Sequence, residues 1–208
     1  LPGPGPSRAA EKRGRKPGPI DPASLATWDA RHDRWHTEPG TYRLDVGRSS
    51  VDVRAAATVE VVGEPSPSLG VGDSVSAVAF DTVRDLDLVP HSPLHGTALS
   101  VRRGVRSGEV VYSRLDLVGV AEIRVSVARG PSGPRSSDVR RAPDDAASLS
   151  LVLPDGSRTA PVALPTNAEL WPEVAVPVPE PARHLGDVTV RLTGSARIAD
   201  LRLVGPQD

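Results

Sequence analysis

The chain has 208 residues and a net charge of −1, with 25 basic and 26 acidic side chains. This balance argues against nucleic acid as a partner, because phosphate binding depends on clustered positive charge. The absence of cysteine excludes disulfides, thiolate zinc sites and cysteine nucleophiles. No apolar run approaches the ~20 residues of a membrane-spanning helix, so no membrane partner is predicted.

The chain is rich in residues that interrupt regular structure, with 22 prolines and 19 glycines. Proline is excluded from helix interiors and confines strands to short stretches between turns. The composition therefore favours an all-β fold. The preference for Arg over Lys, with abundant Ala and Val, is typical of a GC-rich bacterial genome and leaves the compartment open between extracellular and cytoplasmic.

The N-terminal part divides into a tail and a short β-rich segment. Residues 1–19 combine Pro and Gly with a basic run, and we predict a disordered tail because few apolar groups offset the entropy of ordering. A nucleic-acid-binding tail is the alternative. Asp21 and Pro22 then predict one helical turn that extends to Trp28. Strands are predicted at 41–46, 51–53 and 58–62 by their alternation.

The C-terminal part, residues 75–206, is predicted to form a second β-rich domain after a Pro/Ser/Gly linker at 64–74. Asp155-Gly156 between two strand patterns indicates a hairpin turn, and residues 130–146 read as a long polar loop. Many short strands at this density favour a sandwich or jelly roll. The predicted strands are 75–80, 97–101, 109–117, 121–128, 148–153, 161–164, 171–178, 187–192 and 197–204.

Residues 27–61, TWDARHDRWHTEPGTYRLDVGRSSVDVRAAATVEV, resemble a known family. The matching features are Trp28-Asp29, Trp35, the turn and strand that end at Tyr42, and the VGRSS segment followed by Asp52. They resemble the second half of the fibronectin type III-like domain that closes family 3 glycoside hydrolases. This resemblance implies that residues 20–63 form a partial immunoglobulin-like or fibronectin type III-like sheet.

The second resemblance runs from Ser107 to Leu203. The segments that carry it are SGEVVYSRLDLVGVAEIRVSVARG, SLSLVLPDGSRTAPVALPTNAELW and LGDVTVRLTGSARIADLRL. They look like a family 6 carbohydrate-binding module, which is a jelly-roll sandwich. Enzymes of the β-glucosidase and β-xylosidase type often carry such a module after the fibronectin-like domain.

The resemblance implies a sugar cleft made of two aromatic side chains and an asparagine at one end of the sandwich. This chain departs from that pattern, because Arg102–Arg106 contains no aromatic residue, Ala168 stands where the second would lie, and Ile198 stands for the asparagine. The remaining carbohydrate-binding candidates are Trp171, Asn167 and Tyr112. For Trp171 and Tyr112 a place in the core is the alternative, and for Asn167 a turn.

The resemblance also implies a structural calcium ion, with Asp200 as the matching ligand. The predicted first strand lacks the glutamates expected of that site, and the six to eight oxygens that calcium requires do not assemble from the sequence. Asp81, Asp85 and Asp87 read as a solvated loop. We therefore predict neither a metal nor another cofactor. No facing carboxylate pair of the kind that glycoside hydrolysis requires is identifiable, so no catalytic residue is assigned.

The sequence thus predicts a non-catalytic accessory region of a family 3 glycoside hydrolase. Its partners would be the catalytic domains of that parent enzyme and, weakly, a β-linked glucan or xylan oligosaccharide. The alternative is a purely structural or adhesive pair of β-domains without a ligand.

Overall fold

The computed structural model describes residues 21–91, 96–129, 147–165 and 171–206. Strands dominate these residues, and their helical content is limited to two 3-10 turns, Pro22–Leu25 and Glu180–Ala182. The predicted all-β class is therefore confirmed. In this part of the chain no helix is long and apolar enough to cross a membrane. The described residues divide into two compact units. The first contains those up to Asp29 together with Arg34–Pro65, and the second contains Ala30–Asp33 together with the described residues from Ser66 onward.

The first unit consists of two separate two-stranded antiparallel sheets. Strands β1 (Thr27–Asp29) and β2 (Arg34–His36) form one sheet, and β3 (Gly40–Ser49) and β4 (Asp52–Val61) form the other. Strand β4 unites the two short strands predicted at 51–53 and 58–62.

The predicted helical turn through Trp28 is wrong in its length. The Asp21 carboxylate does cap a short helix, accepting a hydrogen bond from the Ala23 amide at 3.0 Å, but that helix ends at Leu25. Trp28 lies in β1 opposite Trp35 of β2, and their rings meet edge to face with centroids 5.6 Å apart. Cross-strand aromatic pairs stabilise antiparallel strands, which favours strand over helix here.

No described residue of the first unit is buried. Tyr42, Leu44 and Val59 are half-buried, but Val46 is 67% exposed and Trp35 is 69% exposed. Two-stranded sheets cover only one side of each side chain, so this unit has no closed core of its own.

The second unit is a sandwich of two antiparallel sheets. One sheet has the strand order β13-β10-β15-β8-β7, with β5 also paired to β15, and the other has the order β12-β11-β14-β9-β6. The strands are β5 (Ser74–Ser76), β6 (Thr82–Arg84), β7 (Leu86–Pro90), β8 (Thr97–Val101), β9 (Ser107–Asp116), β10 (Glu122–Arg129), β11 (Ser148–Val152), β12 (Val162–Ala163), β13 (Glu173–Pro177), β14 (Leu185–Thr193) and β15 (Ala196–Val204).

One large apolar core lies between these sheets. Alternate residues of β9, β10, β14 and β15 are fully buried in it, because successive side chains of a strand point to opposite faces. Examples are Val125, Val190, Leu201 and Leu203, each 0% exposed. The second unit therefore has the double-layer closure that the first lacks.

The strand predictions for this unit hold for the long central strands but miss two edge strands. Strands β6 and β7 fall where the sequence predicted a loop. They are short, and β6 is exposed throughout, so alternation gives little signal. Gly108 of β9 permits this packing, because a Cβ there would lie 2.6 Å from the Asp85 carbonyl oxygen.

The structure can also be compared with one predicted turn and one predicted linker. At Asp155-Gly156 the chain does turn, with the Gly156 amide bonded to the Leu153 carbonyl at 2.8 Å and Gly156 at φ +79°. Part of the stretch predicted as a linker, residues 66–74, belongs to the second unit, where Leu69 is buried. The predicted loop at 130–146 and the tail at 1–19 lie outside the described residues.

Candidate functional site

Trp171 lies on the outside of the larger sheet, not in the main core. It packs against a second, small apolar cluster made of Val89, Ala98 and Ala199. Leu99 and Ile198, the chain neighbours of the two alanines, belong to the main core. Since neighbours along a strand point to opposite faces, the small cluster and Trp171 occupy the outer face.

Two basic side chains flank the Trp171 ring. The His91 ring meets it edge to face with centroids 4.4 Å apart. The guanidinium carbon of Arg197 lies over the indole, 5.3 Å from its centroid, within the range of a cation–π contact. These three residues, which we call the outer-face cluster, come from the segment before β13, the end of β7 and β15.

Arg197 is held in place by the backbone as well as by the ring. Its Nη2 donates to the Pro90 carbonyl oxygen at 2.6 Å, while its buried Nε has no hydrogen-bond partner. Burial lowers the pKa of this guanidinium, because desolvation disfavours the charged form. Trp171 itself has φ +52°, a left-handed backbone conformation that is uncommon for a bulky residue.

Tyr112, the other aromatic candidate, is a core residue. Its side chain is 0% exposed, and its hydroxyl donates to the Ala77 carbonyl oxygen at 2.9 Å. Burial raises the pKa of the Tyr112 hydroxyl. A ring enclosed between the two sheets offers no face to a sugar, so Tyr112 is removed from the candidate site.

The remaining positions implied for the sugar cleft give no further site residue. Asn167 and Ala168 lie outside the described residues. Ile198, at the position expected for an asparagine, is fully buried in the main core. Of the residues that the sequence proposed for sugar binding, the structure thus leaves Trp171 at the surface.

The acidic candidates for a cation are already paired with protein groups. Asp200 Oδ1 accepts from the Ser126 hydroxyl at 2.9 Å. Asp81 pairs with Arg31 and also accepts from the Ser113 amide at 2.7 Å. Asp85 and Asp87 both lie near Arg102. No cluster of three or more metal-ligating side chains occurs among the residues that the structure describes.

The opposite end of the outer face carries two more arginines. Arg124 and Arg202 stand directly opposite each other on β10 and β15. Arg124 Nε contacts Glu122 at 2.6 Å, and Arg202 Nη2 contacts Glu173 at 2.9 Å. They line an open depression of about 310 Å³ together with Val71, Gly72, Leu203, Val204 and Gly205.

The sequence did not identify this outer face as a unit. A strict period of two along β15 would place Arg197 and Arg202, which are five residues apart, on opposite faces. The register shift in β15 opposite Ser126 and Val127 brings both to the outer face. The approach of His91 to Trp171 joins segments 80 residues apart in the chain and leaves no local signal.

The comparisons with known proteins support a fibronectin type III-like segment and a fold similar to that of family 6 carbohydrate-binding modules. The fibronectin type III-like domain family matches residues 16–50. The sequence matches no curated protein. Among solved structures, the chain is similar to a family 6 carbohydrate-binding module of Clostridium stercorarium in complex with cellobiose. The TM-score is 0.52 at 11% identity, over 68% of this chain and 99% of the module.

The chain is also similar to two other solved structures, a binding module and an enzyme. A family 6 carbohydrate-binding module used to dissect binding sub-sites has a TM-score of 0.51 at 11% identity, covering 67% of this chain and 98% of that one. A family 43 arabinoxylan arabinofuranohydrolase of Bacillus subtilis in complex with cellotetraose has a TM-score of 0.52 at 14% identity, covering 78% of this chain and 33% of that one.

The second unit therefore has the jelly-roll sandwich fold of family 6 carbohydrate-binding modules. A segment that is similar to a fibronectin type III-like domain precedes it in the chain.

Proposed function

We propose that this chain is a non-catalytic, carbohydrate-binding accessory region of a family 3 glycoside hydrolase. One observation carries the proposal. A sandwich whose structural match covers 99% of the length of a carbohydrate-binding module follows a fibronectin type III-like segment. That order of modules is the one expected for such enzymes. The catalytic domains of the parent enzyme would be the main partner.

The role of such a region is to keep an enzyme near a polymeric substrate. A weak site on the same polypeptide raises the effective concentration of substrate at the catalytic domains without a new chemical step. Weak binding to a β-linked glucan or xylan is enough for this purpose. The proposal assigns no catalytic residue to this chain.

Trp171 is the side chain proposed to contact the sugar. Sugar rings pack their C–H faces on aromatic rings, and a few fixed polar groups set their orientation. Trp171 is at the surface of the sandwich, and Arg197 beside it is a hydrogen-bond donor. Asn167, four residues earlier in the chain, remains a proposed polar contact.

A second candidate function has its own supporting observation. Arg197 already lies over the Trp171 ring, so a sugar would have to displace it or use the remaining ring surface. An indole covered by a guanidinium group is typical of a structural contact. This favours the alternative of a structural or adhesive sandwich without a ligand.

Calorimetric titration of the whole chain with cellohexaose and xylohexaose distinguishes the two functions. We expect a dissociation constant near the millimolar range, weakened about fivefold by Trp171→Ala, because an aromatic contact contributes on the order of 1 kcal/mol. Trp35→Ala, which changes an exposed indole of the first unit, is the matched control and should bind like the unchanged chain. Circular dichroism verifies that each variant is folded.

The outcomes separate the readings. Micromolar binding that survives Trp171→Ala would show that the sugar contact lies elsewhere. No binding to either glycan by folded protein would support the structural alternative. The parent enzyme is tested separately by reading the coding sequence on the N-terminal side of Leu1, where family 3 catalytic domains are expected.

A further inference from the structure

On the outer face of the larger sheet, the described Arg124, Arg197 and Arg202 lie in different charge environments. Arg124 pairs with Glu122, and Arg202 pairs with Glu173. Arg197 has no carboxylate within ion-pair distance among the described residues, and Asp200 on the same strand is bonded to Ser126. Arg197 therefore carries a positive charge that the described part of the chain does not balance.

The position of Arg197 makes this imbalance unfavourable. Arg197 is half-buried, and its pKa is lowered by desolvation. Its Nε–H is buried without a partner, as is that of Arg202, so the two arginines differ in the acidic partner that Arg202 has and Arg197 lacks. A partly buried charge without a counter-ion is destabilising, and an anion beside it recovers part of that free energy. His91, the other side chain against the Trp171 ring, supplies no negative charge.

We propose that the outer-face cluster binds a sugar that carries a carboxylate, that is, a uronic acid residue of a glycan. The carboxylate would bind the Arg197 guanidinium as a charge-assisted hydrogen-bonded pair, and the sugar ring would lie against the part of the Trp171 indole that the guanidinium leaves uncovered. This inference rests on the proposed carbohydrate-binding function and names the ligand class for the same site.

The strained backbone at Trp171 fits this role. A bulky residue at φ +52° persists only where its surroundings hold it, and such residues concentrate at functional sites. Here the conformation places an aromatic ring beside the one described outer-face arginine that lacks an acidic partner. Acidic peptides would supply a carboxylate as well, but the indole beside the charge favours a ring-shaped ligand.

The test compares sugars of the same shape that differ in charge. The whole chain is titrated, by ligand-observed nuclear magnetic resonance, with glucuronic acid, galacturonic acid, glucose, xylose and acetate at low salt. We expect the two uronic acids to bind about tenfold more tightly than the neutral sugars, because the carboxylate adds an opposite charge to the hydrogen bond that the guanidinium donates. Acetate should bind more weakly than the two uronic acids, since it offers no ring to Trp171. The binding should weaken as salt is added.

Variants locate the charge. Arg197→Gln should remove the preference for uronic acids, and Arg197→Lys should retain part of it. Arg202→Gln is the matched control, because it removes the same charge from the same face at a residue that has an acidic partner. Thermal unfolding of each variant verifies that the sandwich is intact, so a loss of binding is not a loss of folding.

The possible results are distinct. Equal binding of neutral and acidic sugars, or an equal effect of Arg197→Gln and Arg202→Gln, overturns this inference and leaves the proposed function standing. Acetate binding as tightly as the uronic acids also overturns it, since the site would then be a plain anion site. Failure of every sugar, in this titration and in the oligosaccharide titration above, overturns the proposed carbohydrate function itself.

Discussion

The first and second units are both built from antiparallel strands, yet among the described residues only the second unit buries a core. Strands β3 and β4 are as long as the longest strand of the sandwich, and they alternate apolar and polar residues in their first half. Their apolar residues remain at least partly exposed because each sheet has one layer. In the sandwich, the same kind of alternation closes against a facing sheet.

Alternation of apolar and polar residues therefore specifies a strand but does not by itself stabilise it. A side chain in a single-layer sheet loses contact with water on one side only. In a double layer, burial contributes about 25 cal/mol per Å² of apolar surface, summed over many residues. Stability should therefore be concentrated in the second unit, and three measurements test this expectation.

The largest expected effect is in amide hydrogen exchange of the whole chain. Amides in β14 exchange only when the sandwich opens, at a free energy close to that of global unfolding. Amides of Tyr42 and Leu44 in β3 need only a local opening. We expect exchange in β3 to be about a thousandfold faster or more. Comparable protection of β3 and β14 would show that the first unit is stable without a core of its own.

The next effect is the loss of a core side chain. Leu201→Ala should lower the free energy of unfolding by about 2–5 kcal/mol, because it leaves a cavity between the sheets. Leu44→Ala in the half-buried first unit should cost less than about 1 kcal/mol. Leu88, which is 61% exposed on β7, provides the control within the sandwich.

Urea unfolding followed by circular dichroism measures these changes. Leu88→Ala should stay within about 0.5 kcal/mol of the unchanged protein. A Leu44→Ala effect as large as that of Leu201→Ala would contradict the distinction between the two regions.

The smallest effect is a dependence of stability on alkaline pH. Burial raises the pKa of Tyr112, so above about pH 10 the unfolded chain releases this proton while the folded chain keeps it. Below that pH the protonated Tyr112 hydroxyl makes its full contribution to stability. As the pH rises further, the free energy of unfolding falls by about 1.4 kcal/mol per pH unit. Tyr112→Phe lacks the ionisable group. Its free energy of unfolding, measured by urea unfolding, should therefore fall less steeply as the pH rises from 9 to 11.

The sign of that slope is the informative part. Parallel pH profiles for the unchanged chain and Tyr112→Phe would mean that the hydroxyl ionises equally in the folded and unfolded states. Tyr112 would then not be enclosed as the structure places it.

The long central strands were predictable from the sequence, and the small edge strands were not. In β10 and β14 apolar residues recur at every second position, so the period is visible without any knowledge of the partner strand, whereas a register shift interrupts the period in β15. Strand β6 is a three-residue edge strand with no buried side chain. Its existence depends on hydrogen bonds to β9, which join segments far apart in the chain.

The candidate site shows the same limit. The sequence singled out Trp171 because aromatic residues are rare here, at 3% of the chain, and because of the resemblance. It did not decide whether that ring faces the core or the outside. In the structure the ring packs against Val89, Ala98 and Ala199 on the outer face, so it lies outside the core.

By itself, then, the sequence determined the all-β class, the positions of the main strands and the likeness to two kinds of module. These properties depend on local composition, on turn residues such as Asp155-Gly156, and on a period of two. Only the tertiary structure decided that Tyr112 is enclosed, and that Arg197 reaches Trp171 while Arg124 and Arg202 have acidic partners. Those facts depend on which strands lie side by side and which sheets face each other, and that information is distributed over the whole chain.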